Sequence, residues 1–161
     1  ASIARRRDDV EQVIRRLTGR QEWGVRIGCD AARALMRARR RARSDTGAVT
    51  PGTRFLLGKR RQQDLERSLA GEIRLQVERA FRDLARQAAD ARRRTATEHE
   101  VGSRIVLDAA FLVPVKRAAR FRSEVRRWEG SLTRLGCEVA LTGPWAPYHF
   151  VTERSEAEAG T

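Results

Sequence analysis

The chain has 161 residues, 40% of them apolar and 34% charged, with a formal net charge of +13 at pH 7. That length fits one domain of ordinary size, able to bury roughly two-thirds of its unfolded surface, and the composition is too apolar for a disordered segment. No window approaches a run of apolar residues long enough for a transmembrane helix, and two cysteines make neither a disulfide framework nor a four-cysteine metal site.

The charge is uneven. Residues 1–61 hold +11, residues 62–97 hold +2 and residues 98–161 are balanced. The excess peaks at Arg37, Arg39, Arg40, Arg41 and Arg43, a field that attracts phosphates or an acidic protein face. A basic nucleic-acid-binding module built on these arginines is the alternative functional reading. No aromatic residue lies between Trp23 and Phe55, so the run lacks the stacking platform that single-strand binding uses.

In chain order, residues 6–18 carry Val10, Val13, Ile14 and Leu17 at i, i+3, i+4, i+7, an amphipathic helix that Gly19 can end. Trp23, Val25 and Ile27 alternate with Glu22, Gly24 and Arg26, which predicts a half-buried strand. Asp30 can cap a helix with Ala31, Ala34, Leu35 and Ala38 on one side, fading into loop chemistry over residues 44–52. Thr50 and Pro51 read as the N-cap and first position of another helix.

A long stripe follows over residues 62–93: Leu65, Leu69, Ile73, Val77, Phe81, Leu84, Ala88 and Ala91 recur at steps of four and three. Continuous from Pro51, it would be about 60 Å long, so Gly58 and Gly71 are the expected bends. Glu78 to Arg82 and Asp90 to Arg94 have the spacing of helical ion pairs. A second strand is expected from Arg104 to Val113, with Ile105, Leu107, Ala109, Phe111 and Val113 on one face and Pro114 closing it. Phe121, Val125, Trp128, Leu132 and Leu135 mark a helix over 118–135; Cys137, Val139 and Leu141 begin a third strand, which residues from Gly143 onward leave. The fold class is α+β: a small antiparallel or mixed sheet of about three strands packed with long amphipathic helices. Residues 153–161 read as an acidic flexible tail.

Chemistry-bearing constellations are sparse. His99 sits in a polar connector, and His149 lies among aromatics with no acid or nucleophile linked to it by motif. Cys29 and Cys137 fall at strand boundaries, where buried inert thiols are the expectation; a disulfide stays open but is disfavoured in a reducing compartment. No phosphate-cradling glycine loop or metal-ligand spacing occurs, so no catalytic residue, metal or cofactor is assigned and the chain reads as a non-enzyme. The start, Ala1 to Arg5, has no apolar leader, which makes the cytoplasm the expected location. The unusual segment is the last. Pro144 and Pro147 stiffen a stretch carrying Trp145, Tyr148 and Phe150, which then serves as a plug for the sheet, a partner-binding ledge or both.

That terminal block, Leu141-Thr-Gly-Pro-Trp-Ala-Pro-Tyr-His-Phe-Val151, resembles the C-terminal signature of the gas vesicle protein F/L (GvpL/GvpF) family, close to "LTGPWPPYSFV". Gln21 to Ile27 resembles the family's "EWGV" strand, Thr50 to Leu57 its "PG-x-x-Y-L" helix start and Val106 to Val113 its "aYLV" strand, all in family order. Ala146 stands where the family has proline, His149 where it has a small polar residue, and Phe55 and Phe111 where tyrosine is commoner. The resemblance implies that residues 1–152 are the family's C-terminal domain or a shortened copy, without its N-terminal ferredoxin-like domain. It also implies a gas vesicle or cytoplasmic assembly factor that binds the hydrophobic shell protein and other accessory proteins. Trp145, Tyr148, Phe150, Pro144 and Pro147 are then the candidate contact residues, with Trp128 and Phe121 as supporting core.

Overall fold

The structure is a computed structural model that describes residues 2–43, 54–95 and 104–151, and side chains over 9–41, 58–95 and 104–151. The loop of residues 44–52 with Pro51, the connector with His99 and the tail of residues 153–161 lie outside them. Helix α1 (Ser2–Leu17) leads into strand β1 (Arg20–Cys29) and helix α2 (Ala31–Arg43). Helix α3 (Arg54–Gln87) precedes two strands, β2 (Asp90–Arg93) and β3 (Arg104–Pro114), then helix α4 (Ala118–Thr133) and strand β4 (Cys137–Trp145). The sheet is antiparallel throughout, in the order β2-β3-β1-β4.

Alternation along β1 places Trp23, Val25 and Ile27 on one face, where they meet the stripes of α2, α3 and α4. The middle of that layer is a chain of rings: Phe81 lies 5.7 Å from Phe111, Phe111 5.4 Å from Phe121, and Phe121 6.3 Å from Trp23, centre to centre. Trp128 and Phe121 are buried, as their helical spacing predicts. Asp30 caps α2: its Oδ1 accepts the Arg33 N–H at 3.0 Å. Central strand β3 is buried on both faces from Leu107 to Val113, because Ala110 and Leu112 are covered on the second face by Phe150 and Leu17.

Several expectations are corrected. The sheet has four strands, since the stripe read through Ala88 and Ala91 breaks at Gln87 and residues 90–93 pair with β3. Ala91 faces Phe111 across that ladder, so an apolar residue on helical spacing is satisfied by a strand. Helix α3 runs unbroken through Gly58 and Gly71, about 50 Å at 1.5 Å per residue. Glu78, on α3 with Arg82, instead pairs with Arg93 of β2 at 2.7 Å, and with residue 90 in a strand Arg94 turns to Asp108. Strand β4 does not end at Gly143 but continues through a local irregularity to Trp145, which faces Glu22. The α1 stripe is only partly used: Leu17 packs on the second face, whereas Val10 and Ile14 are exposed, because α1 meets the sheet through its last turn.

The cysteines are also corrected. Residues Cys29 and Cys137 are paired directly across β1 and β4, with Cα atoms 4.1 Å apart, and form a disulfide. Strand register, invisible in residue spacing, places the two sulfurs together. The bond closes a loop across 108 residues. Thiol titration of unfolded, unreduced protein should therefore find no free thiol and reduction should release both. Reduction should lower stability by about 2–4 kcal/mol in chemical denaturation. Free thiols in the unreduced protein would contradict the pairing.

Candidate functional site

The second face of the sheet holds the polar chemistry. Even-numbered residues of β1 and β3 point there, and two carboxylates among them, Glu22 and Asp108, are buried. Burying a carboxylate is costly unless its oxygens are hydrogen-bonded or paired. Asp108 is satisfied by two guanidiniums. Arg94 donates through Nε at 2.9 Å and Nη2 at 2.5 Å, and Arg26 donates through Nη2 at 3.2 Å. Space for this arrangement comes from Gly24, where a Cβ would lie 2.5 Å from Thr142 Oγ1 and 3.2 Å from Arg94 Nη2.

Glu22 is satisfied by the chain end. Its Oε2 accepts the backbone N–H of His149 at 3.0 Å, and its Oε1 lies 2.5 Å from the ring Nδ1 of the same residue. The C-terminal segment reaches that point because Gly143, at φ +112°, turns the chain where a side chain would strike the Glu22 carbonyl, followed by a cis bond to Pro144. After Pro147, residues Tyr148–Phe150 form a single 3-10 turn. Arg92 donates to the His149 carbonyl at 2.6 Å and stacks over the Phe150 ring at 5.0 Å, and Arg16 donates to the Phe150 carbonyl. Residues 143–151 are thus a hook closed over the second face and held at backbone level from three sides.

The hook sorts its aromatics. Phe150 is 0% exposed against Ala110, Leu112 and Leu17. It seals the sheet and offers no contact surface, which corrects its assignment as a contact residue. Trp145 is 59% and Tyr148 74% exposed. Pro144 is exposed beside them and Pro147 half-buried. Under the two rings lies a cleft of about 200 Å³ whose floor includes Glu22, Arg94, Thr142 and His149. Sequence reading missed an acid partner for His149, and Glu22 is that partner. Both of its hydrogen bonds go to the hook, so the pair acts as a clamp.

Within the basic run, Arg37 donates to the Thr133 carbonyl at the end of α4, while Arg39, Arg40 and Arg41 are exposed; the Arg43 side chain is not among the described ones. At about 100° per residue Arg37, Arg39, Arg40 and Arg41 wind around α2, so these four guanidiniums do not form one stripe. A second cleft, about 520 Å³, opens between α2 and α3 where Ala31, Ala34 and Ala70 leave room beside Ile73 and Val77. Among the described residues no group of three or more His, Cys, Asp or Glu side chains is placed to hold a metal ion, and no helix is long and apolar enough to cross a membrane. Asp108 and Arg92 went unread in the sequence, and Arg94 was read only as a helical partner of Asp90. The available signals were a lone acid inside an apolar strand and an arginine triplet where a helical stripe fades.

The fold of this α+β domain is similar to that of gas vesicle GvpF proteins of known structure. The GvpF from Anabaena sp. PCC7120 superposes with a TM-score of 0.60 at 18% identity, over 91% of this chain and 56% of that one. The GvpF from Microcystis aeruginosa gives 0.60 at 16% identity, over 94% and 62%. In sequence, the chain is 32% identical over 146 residues to gas vesicle protein L of Streptomyces sp. (strain CB03234), covering 89% of this chain and 53% of that relative. The family model described as gas vesicle synthesis protein GvpL/GvpF matches residues 1–152. The chain belongs to the GvpL/GvpF family, and it spans about half the length of the relative named above.

Core and contact roles separate by stability. Phe150→Ala should cost about 3–5 kcal/mol in urea unfolding, the scale for emptying a buried aromatic site. Trp145→Ala, at an exposed ring, should stay within about 1 kcal/mol of the parent. Equal losses would mean that the two rings share one role.

Proposed function

We propose that this chain is a non-enzymatic accessory protein of gas vesicle formation that binds the hydrophobic shell protein, and other accessory proteins, through Trp145 and Tyr148, flanked by Pro144 and Pro147. The observation that carries the reading is the exposure of both rings, 59% and 74%, on a hook whose own backbone is clamped. Large apolar rings left in water are costly unless a partner covers them, and Trp and Tyr are common interface anchors. A clamped hook has already lost its conformational entropy, so less is lost on binding. Family membership supports the gas vesicle setting. The net charge of +13 keeps such a carrier soluble while it holds a sticky polypeptide and favours partners that are neutral or acidic.

The test is capture of purified shell protein by the double variant Trp145→Ala with Tyr148→Ala. Affinity should fall at least ~30-fold, the effect of losing one interface anchor, with far-UV circular dichroism unchanged. Unchanged affinity would refute the contact role, and unfolding would make both rings structural. A duplex titration at two salt concentrations serves as the control. Tight, salt-sensitive binding lost on changing Arg37, Arg39, Arg40, Arg41 and Arg43 to Gln would favour the nucleic-acid reading instead.

A further inference from the structure

The two edges of the sheet differ. Strand β2 forms one edge with four residues, two of them arginines, one stacked on the Phe150 ring and one on the Phe81 ring. Short length and charge are the usual protections of an edge. Strand β4 forms the other edge with nine residues, and Val139, Ala140, Leu141 and Thr142 in its middle carry no charge.

The register tells which backbone groups that edge presents. In an antiparallel pair, close Cα pairs alternate with wider, hydrogen-bonded ones, and residues of a close pair point their N–H and C=O away from the partner strand. Cys29 and Cys137, with Cα atoms 4.1 Å apart, are a close pair. Counting along the regular register, Ile27 with Val139 and Val25 with Leu141 are close pairs too, while Glu138, Ala140 and Thr142 bond to β1. The N–H and C=O groups of Val139 and Leu141 therefore face outward. Among the described residues, no backbone hydrogen bond outside the ladders involves them. Their side chains lean on the main core, so a strand laid against β4 would continue the apolar layer on that face.

We propose that this edge receives an extended segment of the shell-protein partner as a fifth strand, with Trp145 and Tyr148 closing over one end of it. The proposal rests on the function proposed above and adds how the partner is held. Trp145 is the last residue of β4, four residues beyond Leu141, so the exposed rings lie at one end of this edge. The occupant is a segment of alternating apolar residues, neutral or acidic overall. The net charge of +13 repels a second copy of this chain and attracts such a partner. Backbone bonds would supply affinity with little dependence on sequence, and the rings would add selectivity.

The test uses purified shell protein as the probe and amide hydrogen exchange of the full chain as the readout. On binding, the amides of Val139 and Leu141 should gain protection of at least ~10-fold, whereas those of Ala140 and Thr142, already bonded to β1, change little. Val139→Pro, which removes an outward N–H and leaves the β1 ladder intact, should weaken capture by about tenfold or more; Val139→Ala, which keeps the N–H, should bind nearly as the parent does. If Val139→Pro does not fold, exchange on the unmodified chain decides. Capture without added protection at Val139 and Leu141 would overturn strand addition and leave the aromatic contact standing. Failure of the unmodified chain to capture shell protein would overturn both. Protection in the free protein that rises with its own concentration would show a second copy on the edge and also refute the proposal.

Discussion

A carboxylate buried on a central strand controls the architecture of this domain. Glu22 is 3% exposed and lies near the start of β1, on the floor of the cleft beneath Trp145 and Tyr148. Its bonds to the His149 amide and ring draw the C-terminal segment across the sheet's second face. Once that segment is in place, Phe150 covers Ala110 and Leu112, and β3 is buried on both sides. The same closure leaves Trp145 and Tyr148 outside. Closure of the second face and display of the aromatic surface therefore go together, with Arg92 and Arg16 holding the same hook beside Glu22.

Arginine does much of the remaining work. The chain carries a large surplus of cations, and the described ion pairs place guanidiniums between elements. Arg94 and Arg26 converge on Asp108, tying β1 and the residue after β2 to β3. Arg93 joins β2 to Glu78 on α3, and Arg127 joins α4 to Asp83 on α3. Hydrogen bonding to Arg127 holds the Glu124 carboxyl below its usual range, and Glu124 in turn raises the Arg127 guanidinium. A lowered carboxylate pKa stabilises the fold above the ordinary carboxylate range, and the contribution is lost as pH falls through the folded value. Exposed pairs of this kind contribute little individually. Their value lies in fixing how helices and strands meet.

The sequence showed the periodic elements well and the pairings poorly. Among the described residues, helical stripes and strand alternation identified every α-helix and three of four strands, because burial of one face leaves a period of about 3.6 or 2. The stripe misled where Ala88 and Ala91 kept helical spacing after the helix had ended, since alanine suits either state. Register carries no period. The Cys29–Cys137 bond and the contact of Glu22 with His149 join residues more than one hundred positions apart, and nothing local announces them. The rigid terminal segment was legible from its prolines and rings, but not which ring faces inward: Phe150 and Tyr148 differ by about two-thirds of a turn of a short 3-10 helix.

The account requires that the hook be as ordered as the sheet it closes. The most direct measurement is 15N relaxation across the free chain. Order parameters near 0.85 from Trp145 through Phe150, matching those of β1 and β3, are predicted for a clamped hook. Values below about 0.6 in that segment, with the sheet still rigid, would show a loose tail and contradict the clamp on which the functional reading stands.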